Sequence, residues 1–270
     1  MIGRMWDPVA EWHDTVLNSP SYLKLASGDD ETFWEQCSAS YMQNRTSGTH
    51  FKRVINWLAD KTGPATSLIE IGPGPGVFTR FLTTHCAQVT AVEPSPANAV
   101  QLRRELSGSC NLTVMLKNWE DVALDSHDMV FSAGTLYVFP DIEGAVMKMI
   151  RHARKKILLV MIDEEQALEQ QAANALGIQQ PAPTHLSILF TEVLNSLNLS
   201  FTYDRFSEDA EYVYPNFDVL FELWKGNLEI GREHLPELKV FFSKQGLYTD
   251  NQPAVKVPRR FTTYLIEIAV

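Results

Sequence analysis

Three glycines alternate with two prolines directly after a short apolar segment, and carboxylates lie at the ends of this segment and of the next one. These residues are Glu70, Gly72, Pro73, Gly74, Pro75, Gly76 and Glu93. Glycine lets a backbone approach a ligand closely, and a carboxylate accepts hydrogen bonds from sugar hydroxyls. A glycine turn followed one strand later by a carboxylate predicts a nucleotide site at the edge of a parallel sheet.

The spacing of the glycines narrows the class of ligand. A dinucleotide fingerprint has its third glycine five positions after its first, where this chain has Val77. Pro73 and Pro75 carry no N–H, so this loop has lost two donors that a phosphate cradle would use. We therefore expect an uncharged part of a ligand to lie against the loop. We also expect the prolines to push Gly72 and Gly74 toward extended backbone.

The run from Glu70 to Gly76, followed by Val92 and Glu93, resembles the first two motifs of class I S-adenosylmethionine-dependent methyltransferases. The resemblance covers roughly residues 51–162. It implies S-adenosyl-L-methionine as cofactor and S-adenosyl-L-homocysteine as product. The glycine loop would pass the methionine part, and the second acidic residue would bind the ribose hydroxyls. The first group of predicted cofactor-binding residues is therefore Glu70, Gly72, Pro73, Gly74, Gly76, Glu93 and Pro94.

A further cofactor contact is expected after the third strand, in residues 117–121. The resemblance implies an acidic residue near the adenine amine, and Asn118 takes that place with an amide oxygen that can still accept. Trp119 could stack on the adenine or cover an apolar wall. Glu120 or Asp121 is the alternative acceptor.

Small residues follow the fourth predicted strand. Ser132, Ala133 and Gly134 would let the reactive end of the cofactor approach the sheet, at the edge where open α/β sheets bind ligands. Tyr137 would then point into the substrate space.

The implied chemistry is displacement at a sulfonium methyl group. The protein must mainly align the reacting atoms and exclude water, and a general base is needed only if the nucleophile arrives protonated. The sequence therefore identifies no catalytic residue. Tyr41, Tyr137 and His185 are the candidates.

Several observations favour a small-molecule acceptor in a closed pocket. The glycine turn is also similar to that of ribosomal-RNA adenine dimethyltransferases, but those enzymes carry Asn-Leu-Pro-Tyr-like residues where this chain has Ser132 to Thr135. The net charge of −10 argues against a nucleic-acid surface. Asp141 alone is too little for a metal-dependent catechol-type enzyme, and no metal site is expected. The alternatives are a non-catalytic S-adenosylmethionine-binding protein, an NAD-dependent oxidoreductase or an RNA methyltransferase.

Strands and helices alternate, which predicts an α/β, Rossmann-like, mostly parallel seven-stranded sheet flanked by helices. The expected strands are 67–71, 89–93, 112–116, 129–132, 156–162, 200–206 and 259–270, the last one antiparallel. Residues 1–48 would form an N-terminal helical lid, with an aromatic helix face around Phe33, Trp34 and Tyr41. Residues 49–270 would form the methyltransferase domain, with a cofactor-binding core at 49–162 and a helical insertion at 216–247.

The remaining features place the chain in a broad class. A hydrophobic content of 45% indicates a globular protein, with neither a signal-peptide core nor a membrane-length apolar run. Three separated cysteines predict free thiols and a cytoplasmic location without membrane partners. The oligomeric state is left open. In the insertion, one aromatic group would either line the acceptor pocket or form a core of its own, and its members are Tyr212, Tyr214, Phe217, Phe221 and Trp224.

Overall fold

Seven strands form one sheet in the computed structural model, which describes residues 6–27, 42, 44, 49–165, 167–179, 185–228, 230–249, 251 and 254–270. The strands are β1 (Ser67–Ile71), β2 (Gln88–Glu93), β3 (Leu112–Leu116), β4 (His127–Ala133), β5 (Ala153–Glu165), β6 (Phe201–Tyr214) and β7 (Val255–Ala269). Their order is β3-β2-β1-β4-β5-β7-β6. Strands β1 to β5 pair in parallel, and β7 is antiparallel to both of its neighbours. The predicted fold class, including the reversed last strand, is confirmed.

Helices cover both faces of this sheet. In chain order they are α1 (Pro8–Leu17), α2 (Pro20–Ser27), α3 (Thr49–Lys61), α4 (Thr79–His85), α5 (Pro96–Glu105), α6 (Ile142–His152), α7 (Ala167–Ala175), α8 (Leu186–Ser196), α9 (Phe217–Leu228) and α10 (Leu235–Lys244). Short 3-10 turns occur at Leu136–Val138 and Arg232–His234. Strands β1 and β2 are apolar and buried along nearly their whole length, as strands covered on both faces are.

Two apolar layers hold the helices against the sheet. On one face, α1, α6 and α8 pack on side chains such as Ile69 and Leu159. On the other face, α3 and α4 pack on side chains such as Leu68 and Leu158. Within the N-terminal segment, Trp12 of α1 is fully buried and its indole N–H donates to the Phe139 carbonyl at 2.8 Å.

A second core lies beyond the carboxyl ends of β5 and β6. It joins α7, α9 and α10 to the start of β7. Tyr214, Phe217, Phe221 and Trp224 are buried within it, and Tyr212 packs against it partly buried. Of the two roles expected for these aromatic residues, the structure shows that of a separate core. Because β5 runs parallel to β1 and β4, this core lies at the same edge of the sheet as the glycine turn.

The predicted elements differ from the structure mainly where β5 ends. The fifth strand was expected to end at residue 162, but β5 continues to Glu165 because β7 keeps pairing with it, Glu164 opposite Phe261 and Glu165 opposite Arg260. The predicted helix face around Phe33, Trp34 and Tyr41 lies outside the described residues. The division into a lid at 1–48 and a domain at 49–270 stays a prediction. None of the described helices has the length and apolar character that a membrane crossing requires.

Candidate functional site

The glycine turn joins β1 to α4 at the carboxyl edge of the sheet. Gly72, Gly74 and Gly76 have φ values of 63°, 56° and 93°. The expectation that the prolines push Gly72 and Gly74 toward extended backbone is therefore wrong. The restriction on a residue before proline arises largely from its Cβ, and glycine, which has none, adopts the left-handed region readily.

Two of these glycines have different surroundings. A Cβ on Gly72 would lie 2.5 Å from Cγ2 of Thr135, whereas a Cβ on Gly74 would meet no atom within 4 Å. The Thr135 hydroxyl also donates to the Gly72 carbonyl at 3.2 Å. Gly72 therefore allows the loops after β1 and β4 to touch, and Gly74 borders open space that a ligand can occupy.

Glu93 connects the end of β2 to the glycine turn. Its side chain is buried, Oε2 accepts from the Gly74 N–H at 2.8 Å, and Oε1 accepts from the Ser95 N–H at 2.9 Å. A carboxylate has about four acceptor positions, so the group that fixes the turn can also accept from ribose hydroxyls. Pro94 is exposed directly beside it, while Pro73 is buried beneath the turn.

Glu70 lies on the face of β1 that is turned toward α4, with 2% of its surface exposed. Its Oε2 atom is buried and has no hydrogen-bond partner in the part of the chain that the structure describes. Burial, together with the nearby Glu93 carboxylate, raises the pKa of Glu70 to about 8. Glu70 is therefore a buried carboxyl next to the turn whose raised pKa favours the protonated form, and its predicted contact with the cofactor stays a prediction.

The segment after β3 is only partly suited to the expected adenine contact. Asn118 is exposed, and its Nδ2 donates to Asp121 at 3.2 Å. The Glu120 side chain is exposed as well. Trp119, in contrast, is buried in the core, and its indole N–H donates to the Ala145 carbonyl of α6 at 3.2 Å. The structure thus contradicts stacking of Trp119 on adenine, because the ring is committed to the helix beneath it.

The end of β4 and the residue that follows it lie beside the glycine turn, because β1 and β4 pair with Ile71 opposite Ser132. The buried Ser132 hydroxyl donates to the Ile71 carbonyl at 3.2 Å. Ala133 is half-buried, and Gly134 is exposed with φ 65°. Small side chains therefore border the turn at the point where the cofactor's reactive end was expected.

Among the described residues, the structure places only one of the three candidate catalytic residues with its side chain in an open position. Tyr41 lies outside the described residues. Tyr137 does not direct its hydroxyl into open space: it donates to the Ile162 carbonyl at 3.0 Å and accepts from the Ile162 N–H. His185 precedes α8 with 61% of its side chain exposed, and its Nδ1 is 3.8 Å from Oδ2 of Asp163.

A cleft of about 360 Å³ opens at the end of β5, between the start of α8 and the neighbouring strands β7 and β6. Its lining includes Asp163, His185, Ile188, Arg205, Thr262 and Tyr264. Of these residues, only His185 was predicted from the sequence. The available signal for Asp163 was its position directly after the apolar run of the fifth strand. Within the described ranges, no three His, Cys, Asp or Glu side chains are grouped so as to hold a metal ion.

The geometry fits S-adenosylmethionine. Gly74 borders open space and Glu93 is fixed beside it, so the turn and the carboxylate could hold the methionine and ribose parts. Asn118 and Glu120 could face the adenine, and Ser132 to Gly134 leave room at the sheet. When bound, the cofactor supplies a methyl group already activated on a sulfonium sulfur. The chain's own residues then need to bind, orient and exclude water.

Comparison with known sequences gives a match to one domain family and a match to a short segment of one relative. Residues 69–161 match the family model described as a methyltransferase domain. A segment of 48 residues is 46% identical to the "probable ribosomal RNA small subunit methyltransferase A" of Methanopyrus kandleri. That segment is 18% of this chain and spans only 17% of the relative's length.

Solved structures share the fold at low sequence identity. The YcgJ protein of Bacillus subtilis is 12% identical with a TM-score of 0.52, over 81% of this chain and 98% of that one. A methyltransferase candidate (BH2331) from Bacillus halodurans C-125 is 13% identical with a TM-score of 0.54, over 82% and 99%. Residues 69–161, which include both the glycine turn and Glu93, are therefore similar to a methyltransferase domain, and the fold around them is shared with the solved structures.

Proposed function

We propose that this protein is an S-adenosylmethionine-dependent methyltransferase that acts on a small-molecule acceptor, which it holds in the cleft at the carboxyl end of β5. The observation that carries the proposal is the position of the cleft. Tyr137, three residues after Gly134, bonds to the backbone of Ile162, and Asp163 of the cleft follows immediately. An acceptor in the cleft would therefore lie next to the residues that border the cofactor's reactive end.

The size and surroundings of the cleft support this acceptor class. A volume of about 360 Å³ is within the range of small-ligand pockets, which begin at roughly 300 Å³. The core formed by α7, α9 and α10 stands at the same edge of the sheet and would help to exclude water. We also propose that Gly72, Gly74, Glu93 and Asn118 contact the cofactor.

An RNA acceptor is the main alternative, because the relative that matches a 48-residue segment of this chain is named as a probable ribosomal RNA methyltransferase. Two features favour a small-molecule acceptor over RNA. The net charge is −10, and a surface that binds RNA needs concentrated positive charge. The segment from Ser132 to Thr135, at the end of β4, has no aromatic or amide side chain that could bind a base.

Methyl-labelled S-adenosylmethionine tests the proposal. The purified protein would be incubated with the label and, in parallel, with a low-molecular-mass metabolite fraction or with ribosomal RNA. We expect label to enter the metabolite fraction alone, and the Gly74→Val variant to transfer none. Label in RNA alone would establish the alternative acceptor. Tight cofactor binding with no transfer to either fraction would favour the non-catalytic function.

A further inference from the structure

Asp163 is the carboxylate of the cleft that the fold holds most firmly. Its Oδ1 atom accepts from the Ser187 hydroxyl at 2.8 Å and from the Ser187 N–H at 3.3 Å. The Asp163 side chain is 12% exposed. Ser187, at the start of α8, therefore fixes the position of Oδ1. Because the carboxylate is rigid, the direction of Oδ2 is fixed as well.

The second oxygen, Oδ2, is buried and accepts no hydrogen bond from any residue that the structure describes. The basic side chain recorded beside it is His185, whose Nδ1 is 3.8 Å away, beyond hydrogen-bond distance. A buried carboxylate oxygen without a donor is costly, and a ligand that brings a donor removes that cost. Burial raises the pKa of Asp163, and the bonds from Ser187 and the charge of His185 partly oppose that rise.

The two neighbouring carboxylates are bound to arginines. Glu164 pairs with Arg259 at 2.8 Å, and Glu165 pairs with Arg260 at 3.4 Å. Asp163 differs from both because it lines the cleft without an arginine partner among the described residues, although Arg205 lines the same cleft. Of the three carboxylates that line the cleft, Asp163 is therefore the one that no arginine neutralises among the described residues, and it lies next to Ile162, which Tyr137 contacts.

We propose that the acceptor is an amine, bound through an N–H donated to Oδ2 of Asp163. This inference rests on the proposed small-molecule function. An ammonium group suits a buried carboxylate better than a hydroxyl does, because hydrogen bonds between charged partners are roughly twice as strong as neutral ones. It would also balance the charge that the cleft buries.

The transfer step balances with the side chains present. The entering ammonium gives one proton to His185 in its neutral imidazole form, and the resulting neutral amine nitrogen has a free electron pair. That pair forms the bond to the methyl carbon, and the carbon–sulfur bond breaks with its electrons left on sulfur. The nitrogen is again an ammonium, now methylated, and Asp163 still holds it. His185 then returns its proton to solvent.

Three probes of similar shape and different charge test the inference without turnover: benzylamine, benzyl alcohol and benzoate. Each would be titrated into isotope-labelled protein saturated with S-adenosylhomocysteine and followed by NMR. We expect benzylamine to bind about tenfold or more tightly than the other two, as a charge-assisted bond predicts. Asp163→Asn should weaken benzylamine by a similar factor. Glu165 lies on the same strand and lines the same cleft, so Glu165→Gln serves as the control. This variant should keep the affinity for benzylamine within about twofold.

A second measurement uses the unaltered protein, in case Asp163→Asn folds poorly. Nuclear Overhauser effects from the benzylamine methylene to the methyl groups of Ile188 and Thr262 would place the probe in the cleft. Tighter binding of benzoate, an unchanged affinity in Asp163→Asn, or no binding of benzylamine would each overturn the amine assignment. If label still entered the metabolite fraction, the small-molecule function would stand while the amine class failed.

Discussion

Replacing the buried Glu70 by glutamine should change the pH dependence of stability. Glu70 lies 2% exposed beneath the glycine turn, with its Oε2 lacking a hydrogen-bond partner in the described ranges. Burial and the neighbouring Glu93 raise its pKa from an ordinary 4.5 to about 8. Glutamine has nearly the same shape and resembles the protonated carboxyl, so the variant keeps the packing and removes the titration.

The sign follows from proton binding in the two states. Between pH 4.5 and about 8 the folded state keeps its proton while the unfolded state has lost it, so the free energy of unfolding falls as pH rises. One pKa unit corresponds to about 1.4 kcal/mol, so ionising this group costs the folded protein about 4 kcal/mol between pH 5 and pH 9. The stability that Glu70 contributes is fully present below its unfolded pKa and is lost as pH rises through its folded pKa.

Urea denaturation of the ligand-free protein at pH 5, 7 and 9 measures this effect. We expect Glu70→Gln and the unaltered protein to have similar stability at pH 5, and the variant to be more stable by several kcal/mol at pH 9. Other groups titrate in both proteins and cancel in the difference. Glu143→Gln, at an exposed site on α6, should show no such trend. A difference for Glu70→Gln that stays constant from pH 5 to pH 9 would refute the reasoning.

Three further substitutions test the site and the fold. Glu93→Ala should weaken S-adenosylmethionine binding by about 1.5–3 kcal/mol in titration calorimetry, because a charged acceptor is lost, and unchanged affinity in a folded variant would contradict the ribose contact. Gly74→Val should abolish binding by filling the open space at the turn, and retained affinity would mean that the turn is not the site. Arg259→Met should lower the free energy of unfolding by about 3–5 kcal/mol in urea, since it leaves Glu164 and the buried Glu169 without their cation, and a change below about 1 kcal/mol would contradict that role.

Much of the fold followed from local pattern. Strands β1 and β2 are apolar runs that end at glycine, proline or a carboxylate, so periodicity and composition located them nearly to the residue. The antiparallel β7 was expected from the family resemblance and its strand-like composition. The end of β5 was misplaced because pairing with β7, a partner about a hundred residues away, carries it past the apolar run.

The site was less predictable because several side chains are fixed by distant partners. Trp119 has an aromatic ring of the kind that can stack on adenine. The hydrogen bond to the carbonyl of Ala145 and the packing against α6 hold it in the core instead. The hydroxyl of Tyr137 is bound by the backbone of Ile162. Likewise, Asp163 acquires its meaning only when Ser187, at the start of α8, fixes one of its oxygens. None of these contacts follows from the spacing of the residues along the chain, so none could be predicted from the sequence.

Isothermal titration of the purified protein with S-adenosylmethionine, S-adenosylhomocysteine and NADH tests the central claim most directly. The turn of Gly72 to Gly76 and the carboxylate of Glu93 are expected to hold the first two ligands, at micromolar or tighter affinity, and to give no heat with NADH. Binding of NADH alone would contradict both the ligand assigned to the glycine turn and the methyltransferase function built on it.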